Sequence, residues 1–246
     1  METFRKKMVC ILPITVCFIM LSASCNKKSP TGAGNDDNTL TDIDGNEYQI
    51  IQIGNQWWMA ENLKVTHYRN GDAIPNVTDG PEWSNLTTGA YCMYDNSASN
   101  GNIYGYLYNW YAIDADHNIA PQGWHVPTDE DWKELEMFLG MSQTEADAMV
   151  WRGTDEGGKL KETGTAHWND PNIGATNESG FSALPGGYHW HDDGSFHAIN
   201  QMAKLWSSTE YNNLSAYYRT LWYNNSEVGR SHSDKRYGHS IRLVKD

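Results

Sequence analysis

Pro121-Gln122-Gly123-Trp124-His125-Val126-Pro127-Thr128 runs directly into Asp129-Glu130-Asp131-Trp132-Lys133-Glu134-Leu135-Glu136-Met137-Phe138-Leu139-Gly140. Pro127 cannot sit inside a helix, and Thr128 behind it has the hydroxyl that caps one. Asp129, Glu130 and Asp131 suit the positive end of the helix dipole. Trp132, Leu135 and Leu139 recur at spacings of three and four, which gives one apolar stripe. Gly140 stops the helix. Ser142-Gln143-Thr144-Glu145 is a capping box opening a second helix toward Trp151.

Outward from this helix the chain reads as short strands. Thr41 to Ile53 predicts a hairpin turned at Asp44-Gly45, with Tyr48, Ile50 and Ile51 in its returning strand. Ala90–Tyr94, Trp206–Ser208, Ala216–Tyr223 and Ser240–Val244 predict further strands, and Tyr104–Ile113 a dense aromatic core segment. Residues 153–202 are Gly-rich and non-repetitive. A stretch that long is a functional loop or an ordered excursion.

Composition agrees. The chain holds 11 Trp and 14 Tyr against 5 Phe, with 22 Gly. Trp and Tyr join an apolar body to a polar tip and suit ligand surfaces as well as cores. The formal charge is −13, and without the first 24 residues 15 basic face 30 acidic side chains. That balance excludes nucleic acid, whose phosphates need Lys/Arg patches.

Arg5, Lys6 and Lys7 precede the apolar run Met8–Met20, which is too short for an ordinary membrane span and reads as an export signal over residues 1–24. Ser22-Ala23-Ser24-Cys25 resembles a bacterial lipobox, so Cys25 is expected to carry lipid and hold the protein at the cell envelope, with the outer membrane favoured. Residues 25–39 then form a flexible tether, and 40–246 one domain. Cys10 and Cys17 leave with the signal. Cys92 alone remains in the domain, so no internal disulfide is expected, and its apolar setting predicts a buried, inert thiol.

Gly45-Asn46-Glu47-Tyr48, Gln56–Leu63, Tyr104–Trp110, Pro121–Thr128, Gly157–Lys161, Gly180–Tyr188, Trp206–Glu210 and Ile241–Val244 together resemble the Fibrobacter succinogenes major paralogous domain, in order and over nearly the whole mature chain. That family is common in exported proteins and lipoproteins of Fibrobacteres and Bacteroidetes. The resemblance implies an α+β, C-type-lectin-like domain: a small twisted antiparallel sheet, flanking helices and long ordered loops. It also marks Trp57, Trp58, Trp110, Trp124, Trp132 and Trp206 as structural. Family members often carry two cysteines where this chain has Ala120 and Leu243, so those two are expected to meet in an apolar contact.

No catalytic motif stands out, and an enzyme is not expected. Trp168, Trp190 and Trp222 fall in or near loops and could stack on a ligand, with Asp192 beside them. Trp168-Asn169-Asp170 spells the triplet that C-type lectins use for calcium and sugar, though here it lies well upstream of the last strands and before Pro171. Asp42, Asp44 and Gly45 hint at a calcium loop, and a simple Asp-Gly turn explains them as well. His189, His191 and His197 are the weak metal candidates. The simpler reading is a polar hairpin tip. His125 reads as a buried histidine bonded to backbone. The expected function is glycan or polysaccharide binding. Alternatives are an envelope protein-interaction component and an uncharacterised carbohydrate-active enzyme.

Overall fold

The computed structural model describes residues 38–113 and 116–246. The expected signal, Cys25 and all but the end of the tether lie outside the described residues. In chain order the elements are β1 (Thr39–Thr41), β2 (Glu47–Ile53), β3 (Gln56–Met59), α1 (Gly80–Ser84), β4 (Tyr91–Cys92), α2 (Ala98–Tyr104), β5 (Leu107–Tyr108) and β6 (Trp124–His125). There follow α3 (Asp129–Leu139), α4 (Gln143–Asp147), β7 (Val150–Arg152), α5 (Glu156–Leu160), β8 (Gly186–His189), β9 (Phe196–Ile199), β10 (Met202–Asn212), β11 (Ser215–Trp222), β12 (Val228–Asp234) and β13 (Val244–Lys245).

The architecture is α+β and dominated by sheet. Where one small sheet was expected, the described residues form three: β1-β2-β3-β13-β6, β7-β12-β11-β10-β8-β9 and the pair β4-β5. Only β10 and β8 pair in parallel among the described strands. None of the described helices is long and apolar enough to cross a membrane.

Helix α3 forms as its sequence dictates. The Thr128 side chain accepts from the Asp131 backbone N–H, and the Asp131 carboxylate accepts from that of Thr128. Trp132, Leu135 and Leu139 are buried, and Trp132 lies 4.8 Å from Trp58 between ring centres. The second capping box also forms, but α4 ends at Asp147 and does not reach Trp151. Residues 150–152 instead pair with β12, adding an edge strand, while Arg230 takes the Asp147 carbonyl.

The expected strand over residues 240–244 is regular only from Val244. Its earlier part wedges between the two large sheets. Trp206 N–H donates to the Ser240 carbonyl, Leu63 N–H to Ile241 and Met59 N–H to Leu243. Fully buried Arg242 fixes the wedge, donating to Asn62 Oδ1 (2.9 Å), the Ser182 carbonyl (2.9 Å) and the carbonyls of Met59 and Phe181. Burial pushes its guanidinium down to about 9. Ala120 and Leu243 are both buried in the cluster that holds Ile119, Val126 and Ile241. Cys92 is buried, and burial pushes its thiol well up, which keeps it protonated.

Residues 153–202 are not loop throughout, since α5, β8 and β9 fall within them, and the stretch between α5 and β8 is an ordered loop. Lys161 Nζ donates to the carbonyls of Ile173 (2.8 Å), Trp222 (2.9 Å) and Asn225 (2.9 Å). Asn172 Nδ2 donates to the Glu162 and Gly164 carbonyls. Internal acceptors of this kind take the place of a ladder.

Candidate functional site

Alternation along β10, β11 and β12 sorts their side chains onto two faces with opposite electrostatic solutions. Lys204 pairs across from Thr220, Trp206 from Tyr218, and Tyr218 in turn from Ser231. Leu205 pairs across from Arg219, and Arg219 from Arg230.

The second set faces α3. Arg219 donates from Nη1 to Asp129 Oδ1 (2.8 Å) and from Nε to Glu136 Oε1 (2.6 Å). Arg230 donates from Nη2 to Asp129 Oδ2 (2.6 Å), and Arg152 from Nη2 to Glu136 Oε2. Burial alone would raise the Asp129 carboxyl, but Arg230 and Arg219 outweigh it and hold the group well below the usual carboxylate range. These three arginines and two carboxylates are buried and each is paired within the network.

The first face carries one charge with no such match. Lys204 Nζ sits 3.9 Å from the ring centre of Tyr188, 4.9 Å from Tyr218 and 5.6 Å from Tyr237. No hydrogen bond and no ion pair engages it among the described residues. Burial pushes its ammonium down to about 8. The three tyrosine hydroxyls are shifted upward by burial, Tyr237 to about 12, so none supplies a counter-charge. His239 nearby is held neutral by burial and by Lys204 itself. Lys161 is the instructive contrast: it too is pushed to about 8, yet three carbonyls serve it.

Lys204 lines a cavity of about 250 Å³ with Val150, Trp151, Met202, Tyr218, Thr220, Trp222, Gly229, Arg230 and Ser231. The indole N–H of Trp222 is buried without an acceptor. Gly229 lets Trp151 lie close over the strand, since a Cβ there would stand 3.2 Å from its ring. At the rim Val150 has φ +71°, a left-handed conformation that costs a β-branched residue about 1–3 kcal/mol. From the Lys204 cage the aromatics continue outward: Tyr188 to Tyr237 at 6.1 Å, Trp190 to Tyr237 at 5.2 Å, and His197 stacked on Tyr188 at 5.4 Å. Tyr188, Trp190, Trp222 and Tyr237 are all partly exposed.

Of the residues nominated from sequence, Trp190 and Trp222 fall at the two ends of this surface. Asp192 accepts from Trp190 Nε1 at 3.3 Å. Trp168 does not join them. It is 1% exposed and its Nε1 donates to the Ala183 carbonyl at 3.0 Å, so it closes the core beneath the loop and has no free face for a ligand. Asn169 and Asp170 are exposed beside it, away from the cavity lining.

The three histidines do not converge. His189 pairs with Phe196, whereas Tyr188 pairs with His197, so His189 and His197 project to opposite faces of the hairpin. His189 is buried against Trp83 at 4.4 Å and burial pushes it down to about 4. His191 lies beyond the strand end, stacked on Tyr237 at 4.6 Å. Among the described residues no three His, Cys, Asp or Glu side chains gather as a metal site. The Asp42 and Asp44 carboxylates are likewise taken up locally. Asp42 accepts from Asn46 and Tyr48, and Asp44 from Thr66. His125 is bonded to carboxylates rather than backbone, reaching Asp246 (2.7 Å) and Asp131 (3.1 Å), and the Asp131 bond chiefly raises its pKa.

A larger depression, about 500 Å³, lies at Tyr68, Asp72, Thr88, Tyr111 and His117. Asp116 also lines it, and His117 Nδ1 stands 3.2 Å from Asp72 Oδ2. Sequence reasoning passed over Lys204, Tyr188, Tyr218 and Tyr237. The one available signal was the alternation Tyr218-x-Thr220-x-Trp222 beside Met202-x-Lys204. The model of the Fibrobacter succinogenes major domain matches residues 51–245. Nothing among the curated proteins or the solved structures matches the chain.

Proposed function

The chain belongs to the Fibrobacter succinogenes major domain family, and from that premise we propose that it is a lipid-anchored binding module of the cell envelope, C-type-lectin-like in fold, whose ligand is a glycan. Export by the signal at residues 1–24 and lipidation at Cys25 place it at the membrane, with the outer membrane favoured. The observation that carries the glycan reading is the row of partly exposed rings from Trp190 through Tyr237 and Tyr188 to the Trp222 cavity. Sugar rings present flat C–H faces that pack on aromatic faces, while their hydroxyls keep water or polar partners. The reading is that of a binder: the surface offers aromatic rings and the Lys204 ammonium. We take this binding to be independent of calcium, because Asn169 and Asp170, the oxygen-bearing members of the triplet, lie away from the cavity lining.

The test is a glycan and plant-polysaccharide array probed with the exported chain in mild detergent, with calcium and again with chelator. Binding should survive the chelator. Trp190→Ala should weaken it about tenfold, equivalent to about 1.4 kcal/mol. Binding abolished by chelator would contradict the ring-stacking reading. Silence in both conditions would turn attention to envelope proteins as partners.

A further inference from the structure

We propose that the Lys204 cavity is an anion subsite that takes the carboxylate of a hexuronate unit in an acidic polysaccharide. The inference rests on the glycan reading above and names its substrate class. Three observations carry it.

The first is charge placement. The chain carries −13 overall, yet among the described residues no Asp or Glu lines this cavity, and the one unpaired charge there is a lysine. Arg230 also lines it, but its guanidinium is committed to Asp129 on the other face. An acidic protein that leaves an ammonium without a carboxylate has a place for one from outside.

The second is donor supply. Tyrosine faces attract a cation but accept none of its N–H bonds in the manner of an oxygen. Lys204 Nζ meets three tyrosine rings and has no acceptor among the described residues. A carboxylate brings two oxygens to the Lys204 ammonium. The apolar ring walls lower the local dielectric and strengthen the pairing.

The third is size and surface. About 250 Å³ lies just below the range of about 300–1,000 Å³ typical of drug-sized ligands, a space for one sugar ring. Tyr188 and Tyr237 continue the surface outward from the cavity, so neighbouring sugars of a chain would meet rings. A poly-glutamate chain would match the charge but has no ring faces to pack on them.

The experiment measures affinity by titration calorimetry for oligogalacturonate, its fully methyl-esterified form, neutral galactan and poly-glutamate. Wild type and Lys204→Met are compared. Wild type should bind the acid at least tenfold more tightly than the ester, and added salt should narrow the gap. Lys204→Met should bind acid and ester alike, at the affinity wild type shows for the ester. Equal binding of acid and ester by wild type overturns the subsite and leaves the glycan reading standing. That comparison needs no variant. A preference that survives in Lys204→Met also overturns it. Poly-glutamate binding as tightly as oligogalacturonate would replace the sugar with an acidic peptide. No binding to any glycan would remove both readings.

Discussion

Glu136→Gln should lower the unfolding free energy by about 3–5 kcal/mol. Glu136 is fully buried on α3 and accepts from Arg219 and Arg152 of two different strands. Glutamine keeps the volume and removes the charge. Two guanidiniums are then left in the interior with Asp129 as the remaining buried carboxylate near them. Removing one partner of a buried pair leaves the other charge desolvated and unanswered, which is why the loss exceeds that of a surface pair. Urea unfolding should show a lower midpoint at unchanged slope, and the melting temperature should fall by about 6–20 °C for a domain of this size. A loss under about 1 kcal/mol would mean that the arginines find water or other acceptors. Acid should act on the same network. Asp129 has a folded-state pKa below its unfolded one, so its contribution is complete above about 3.9 and is lost as pH falls through the folded value.

Lys204→Met should do the reverse and stabilise the fold by about 1–2 kcal/mol. The drop of the ammonium from 10.5 to about 8 corresponds to about 3 kcal/mol of lost solvation. Cation–π contact with the tyrosines offsets about 0.5–2 kcal/mol of that. Methionine fills similar space and packs well against rings. The sign can be checked by pH. A lysine with a depressed folded pKa costs stability fully below about 8, and the cost fades as pH rises from about 8 toward 10.5. The advantage of Lys204→Met should therefore shrink across that window. Lys161, present in both proteins, cancels in the comparison. A variant less stable than wild type at pH 7 would mark Lys204 as structural. A more stable one is the pattern of a residue kept for binding at some cost to the fold.

Local signals were legible in the sequence. The Thr128 cap, the Gly140 stop and the Asp44-Gly45 turn act through neighbours in the chain, and each lies where its chemistry puts it. Partnerships set by long-range contact were not. Asp129 reads as a dipole-friendly residue of a first turn, yet its partners Arg219 and Arg230 lie 90 and 101 residues away. Met202-Ala203-Lys204-Leu205 reads as an ordinary strand, because the rings around Lys204 arrive from positions 188, 218 and 237. Trp168 and Trp190 both sit in polar, Gly-rich sequence. Only the acceptor at Ala183 tells the buried one from the open one. Strand β12 escaped because Val228–Asp234 carries serine, histidine and charge, and its burial comes from pairing on both sides.

The central claim is that ligand binds on the Lys204 face of the six-stranded sheet. Met202 lines that cavity, while Met59 and Met141 are buried elsewhere in the core. Methionine-methyl NMR during titration with oligogalacturonate therefore reads the claim directly. The account predicts a saturable shift of the Met202 methyl, with Met59 and Met141 unmoved. Saturable binding that leaves Met202 in place would contradict it.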